Sequence, residues 1–182
     1  MKPLACLPVV LAACLCLTGA ERPRVSRAAV AAMEKSIDRR METDVVESPF
    51  LLLGMTRGVY LEGYGAVFTA EVNLASGPTI SPFRPNVTKD DVVKLRLKKL
   101  GRLPALKSAM REMLVAAAGS LDTVPPEERL VVGVSLFNFS WENSSGLPSQ
   151  IVMQAPRRTL LDFQTNRRDR STLEAAVQVQ EF

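Results

Sequence analysis

The three cysteines of this chain, Cys6, Cys14 and Cys16, all lie within its first 16 residues, and histidine is absent. Past Ala20, therefore, no disulfide can form, and the fold must be held by packing alone. The same distribution removes whole classes of chemistry from that part of the chain. It can build no Ser-His-Asp triad, no cysteine nucleophile, no His or Cys zinc site and no iron–sulfur cluster. With 182 residues, of which 47% are hydrophobic and 23% charged, the chain is long enough for one domain with a substantial core.

The cysteines sit in a stretch with its own logic. Lys2 is followed by an apolar run from about Leu4 to Leu17 and then by Thr18-Gly19-Ala20. Charge, apolar run and small residues are the three parts of a secretory signal peptide, so residues 1–20 are expected to be removed and the protein exported, periplasmic or secreted. A second reading competes. Leu11-Ala12-Ala13-Cys14 resembles the bacterial lipobox, which implies lipid anchorage through Cys14, although Leu15-Cys16-Leu17 extends the apolar run where a lipoprotein normally turns polar. An uncleaved anchor is the third, and the run is short for a membrane span.

Hydrophobic spacing gives the elements of the remainder. Val30, Met33, Ile37 and Met41 recur at helical steps within residues 24–42, with Ser26 placed to cap. From Phe50 to Leu74 the period drops to two. Leu51, Leu53, Met55, Val59 and Leu61 alternate, then Ala66, Phe68, Ala70, Val72 and Leu74, with Glu62-Gly63-Tyr64-Gly65 between. This predicts a hairpin that buries Phe68, Val72 and Leu74 and exposes Glu71 and Asn73. Thr88, Asp90 and Asp91 open a helix in which Val93, Leu97 and Leu100 form one apolar stripe and Leu106, Met110, Met113 and Ala117 another. Gly101 and Pro104 predict a break between them, because proline lacks an N–H and its ring clashes with the carbonyl four residues back. Residues 130–139 are apolar on both parities, as in a central strand. A strand at 150–154, a helix at 156–163 with proline near its start, and a final strand at 173–179 complete the chain.

The predicted class is α+β, an antiparallel sheet of about five strands with helices mainly on one face. Residues 1–20 are the leader, 21–48 an N-terminal helix and linker, and 49–182 one domain. The element order resembles that of ferredoxin-like or profilin-like folds, a likeness that rests on order alone and implies no activity.

Chemistry is sparsely signalled. There is no phosphate-binding glycine loop, no G-x-S-x-G elbow and no S-x-x-K pair. The densest charge feature runs from Lys94 to Arg111: Lys94, Arg96, Lys98, Lys99, Arg102, Lys107 and Arg111, with no acid between Asp91 and Glu112. Placed opposite the leucine stripe, these cations predict a positive face for an anionic partner, against the plainer reading of a solvated amphipathic helix. Arg157 and Arg158, with Arg167, Arg168 and Arg170 beyond them, form a second basic group. The loop Trp141-Glu142-Asn143 offers an aromatic and hydrogen-bonding side chains and is the most site-like loop. The expected function is therefore a non-enzymatic binding or adaptor domain of the cell envelope, with an anionic envelope component or a protein as partner and no cofactor or metal. Nucleic acid is disfavoured, since aromatics for base stacking are only 5% of the chain. Two alternatives stand beside it. One is a hydrolase using carboxylates such as Glu62, Asp122 and Glu142, or a Ser–Lys pair. The other is a peripheral membrane protein using the basic helix face.

Overall fold

The computed structural model describes residues 25–43, 49–78, 82, 86–165 and 170–182. Residues 1–20, expected as a leader and including Cys14, and Arg167 and Arg168 lie outside the described residues, and no helix of the described residues is long and apolar enough to cross a membrane.

The chain runs α1 (Arg27–Thr43), β1 (Leu51–Leu52), β2 (Arg57–Leu61), β3 (Gly65–Asn73), α2 (Lys89–Ser120), β4 (Arg129–Leu136), β5 (Gln150–Pro156), α3 (Arg157–Gln164), α4 (Arg170–Ala176), β6 (Gln178–Glu181). The class is α+β, but the sheet is mixed. β3 and β4 are parallel, with Gly65 opposite Arg129 and Val72 opposite Leu136, whereas β4–β5 and β5–β6 are antiparallel. The expected all-antiparallel sheet is thus corrected at one pair. Alternation within a strand reports its faces and says nothing of its neighbour's direction, and α2 is long enough to return the chain for parallel pairing. β1 and β2 share the other edge of β3 and are separated by residues 53–56, where Gly54 has φ +97°. Four residues there face two on β3, so the edge strand bulges.

β3 places Phe68, Val72 and Leu74 in the core as predicted, and Glu71 outside. Asn73 departs from the expectation: it is buried, its Oδ1 accepting from the Ala75 N–H at 3.3 Å. The edge strand inverts the simple reading further. Leu51, Leu53, Met55, Val59 and Leu61 face outward on a sheet face that no described helix covers, while Phe50, Leu52, Thr56, Gly58 and Tyr60 face the helices. Gly58 explains this. A Cβ there would lie 2.7 Å from both Val30 of α1 and Phe68, so the inward position is kept empty for helix packing.

α1 joins the same core through Val30, Met33, Ile37 and Met41, and Ser26 Oγ accepts from the Ala29 amide as its cap. α2 begins with a capping box between Thr88 and Asp91 and continues without interruption to Ser120. The predicted break at Gly101–Pro104 does not occur. Pro104 is exposed, so the carbonyl it deprives of a partner can turn to water, while Leu103 and Leu106 on either side anchor the helix in the core. The predicted last strand at 173–179 is also corrected. Leu173 and Val177, four residues apart, are both buried: Leu173 in α4 and Val177 just beyond it, before β6 begins. Leu173 and Val177 fit a period of two and a helical step equally well, and Ala175 between them, exposed here, fits only the period of two.

Candidate functional site

The run of cations on α2 does not form one surface. Lys99 is wholly buried, its ammonium donating to the Phe137 carbonyl at 3.1 Å, to Asn138 Oδ1 at 2.9 Å and to Glu142 in an ion pair. Arg102 lies over the Phe50 ring, 4.6 Å from its centre, and burial holds its pKa below the usual arginine value. Lys107 pairs with Glu181 of β6 at 2.6 Å. Arg96 Nε donates to the Ser145 carbonyl at 2.8 Å. Arg111 lines a cleft among the helices. Lys94 and Lys98 remain exposed.

The second basic group is divided as well. Arg157 is buried, with Nε donating to the Ala118 carbonyl and Nη1 to the Val124 carbonyl, both at 3.0 Å. It closes the C-terminal end of α2, and burial lowers its pKa against the opposing pull of Asp122. Arg158 makes an exposed pair with Glu127. Arg157, expected at an anion-binding surface, thus spends Nε on a carbonyl of the last turn of α2 and Nη1 on one in the turn that follows it.

The Trp141–Glu142–Asn143 loop turns out to be tied down. Trp141 stacks on Phe139 at 5.6 Å between ring centres and reaches Gly77, where a Cβ would meet its ring at 3.2 Å. Glu142 accepts from Lys99 and from the Phe139 amide, and Asn143 Oδ1 accepts from the Ser145 amide at 2.9 Å. Loop and helix are thus latched through a buried charge pair. Removing one partner of such a pair typically costs about 3–5 kcal/mol.

The most informative surface is one the spacing mis-assigned. Val93 and Leu97, expected in the core stripe, are 56% and 59% exposed. The buried stripe is instead Leu95, Lys99, Leu103, Leu106 and Met110. A lysine at a core position disguised it. Counting roughly 100° per residue, Val93 and Leu97 point away from the sheet, with Lys94 and Lys98 along one side and Lys89 on the other. By the same count Asp90, exposed in the first turn, falls on the ridge between Leu97 and Lys94 and offsets one of its charges.

Of the carboxylates considered for acid–base work, Glu142 is paired with Lys99, and Glu62 and Asp122 are exposed in separate turns. Among the described residues no group of three acids, histidines or cysteines could hold a metal ion. Neither family models nor curated proteins nor solved structures include a match to this chain.

Proposed function

We propose that this chain is an exported, non-enzymatic binding domain of the cell envelope, and that it rests on an anionic lipid surface through the outer ridge of α2. The observation that carries the reading is the exposure of Val93 and Leu97 between lysines. An in-plane amphipathic contact combines these two elements: apolar side chains that enter the headgroup boundary and flanking cations that meet phosphate. Full transfer of two such side chains from water contributes about 1.5–3 kcal/mol each, and each basic residue near an anionic surface roughly 1 kcal/mol. The sum supports a reversible, salt-sensitive contact. The basic helix is thereby reduced from seven cations to the ridge, because Lys99, Arg102 and Lys107 are committed within the fold. The ferredoxin-like or profilin-like element order adds no argument for or against this role.

The test is sedimentation with vesicles containing phosphatidylglycerol, at low and high salt, against neutral phosphatidylcholine vesicles. Binding is expected only to the anionic vesicles, and is expected to be lost in high salt, in Lys94→Glu/Lys98→Glu and in Val93→Ser/Leu97→Ser. Association that survives both double substitutions would overturn the assignment.

A further inference from the structure

On the outer side of the helical layer, α1, α2, α3 and α4 enclose a cleft of about 450 Å³, within the range of small-molecule sites. Its apolar wall includes Val115, Phe163 and Leu173. Gln164 forms another side, its amide packed over Gly119 so closely that a Cβ there would lie 2.6 Å from it. Into this setting α2 places Arg111. The Arg111 Nε is buried and has no hydrogen-bond partner, and the guanidinium makes no ion pair with any described residue. A guanidinium at the cleft wall with no hydrogen bond or ion pair to the described residues leaves its terminal N–H groups for an anion that enters the cleft.

We infer that this cleft binds an organic monocarboxylate with an apolar tail. The planar guanidinium carries its two terminal nitrogens side by side, an arrangement that grips both oxygens of one carboxylate, while Nε is shielded from the cleft. The wall formed by Val115, Phe163 and Leu173 takes the tail. Ser108, also at the cleft, turns its hydroxyl to Glu112 Oε1 at 3.4 Å. Among the described residues the lining carries two cations, Arg40 and Arg111, and two acids, Glu112 and Glu174, a balance that suits one carboxylate better than two. The site is separate from the α2 ridge and independent of the lipid contact.

Titration with decanoate below its micelle-forming range, followed by calorimetry and by amide shifts in residues 108–116 and 163–174, tests the inference. Decanoate is expected to bind and to shift those amides, with decanol and decylammonium weaker by at least about tenfold. Arg111→Met is expected to lower decanoate affinity by a similar factor, and Arg111→Lys to keep part of it. Ala116→Leu, which narrows the apolar end and leaves Arg111 in place, is expected to weaken decanoate more than hexanoate. Lys94→Glu/Lys98→Glu is expected to leave binding unchanged, which separates this site from the ridge. Equal binding of decanol or decylammonium, unchanged affinity in Arg111→Met, or equal losses for both chain lengths in Ala116→Leu would overturn it.

Discussion

The Glu34 carboxylate of α1 accepts a hydrogen bond from the Gly58 amide of β2 at 2.7 Å. Asp38, one turn later, accepts from the Thr56 amide at 2.9 Å, and Arg27 donates both to Glu34 and to the Gly58 carbonyl. A helix lying beside an edge strand thus satisfies backbone groups that would otherwise invite another strand. Replacing Glu34 with Leu should therefore destabilise the fold by about 1–3 kcal/mol, the usual penalty for an orphaned buried donor. It should also raise the tendency to self-associate. Urea unfolding and light scattering read the two effects.

The same carboxylate makes stability depend on pH. Hydrogen bonding from Arg27 holds the Glu34 pKa below its ordinary value of 4.5, against the opposing effect of burial, with Gly58 adding to the lowering. A folded-state pKa below the unfolded one means that this contribution is complete above 4.5 and fades as pH falls through the lower folded value. Wild type should lose stability between neutral and acidic pH more steeply than Glu34→Gln, as followed by urea midpoints across that range.

The buried latch between Lys99 and Glu142 gives a double-mutant cycle. Lys99→Met alone leaves a carboxylate buried, and Glu142→Leu alone leaves an ammonium, so each should cost about 3–5 kcal/mol. The pair together should cost clearly less than the sum, because no uncompensated charge remains. Additive losses in denaturant titrations would show that the two groups do not act as a unit.

Gly63 and Gly65 sit at the same turn and should respond differently. Both have positive φ, +79° and +136°, but a Cβ on Gly63 meets nothing within 4 Å. A Cβ on Gly65 would fall on the backbone carbonyl oxygen of Arg129. Gly63→Ala should cost roughly 1–2 kcal/mol, the ordinary left-handed penalty. Gly65→Ala should cost considerably more, since β3 and β4 must part to admit it, and thermal unfolding of the two variants should separate them.

Pro104 offers the opposite sign. It occupies an exposed position inside a continuous helix and carries no N–H to donate. Pro104→Ala should raise stability, by up to about 3 kcal/mol. Hydrogen exchange of the new amide should show protection comparable with its neighbours.

Much of the fold could be read from the order of residues, and the failures have local causes. The α1 stripe and the β3 register follow from side chains that repeat every turn or every second residue, and β4 was recognisable because both of its faces are buried. The outward turn of Val59 and Leu61 was hidden because the deciding inward residue is Gly58, whose role is to have no side chain. The core stripe of α2 was hidden because Lys99 occupies one of its positions, and its partner Glu142 lies far along the chain. The Arg111 cleft left no local pattern at all. Its walls come from four helices, and Arg111 stood among six other cations that the sequence could not distinguish from it.

The parallel pairing of β3 with β4 also sets the order in which the molecule can be made. Gly65 through Val72 wait for Arg129 through Leu136, which follow only after all of α2 has been synthesised. Until then β3 has just its hairpin neighbours, and a sheet of that kind is marginal in water. Closing a pair so distant along the chain is slow compared with local helix formation. A half-made chain therefore holds the far edge of β3 open, a row of unpaired backbone groups that only a later part of the same chain closes.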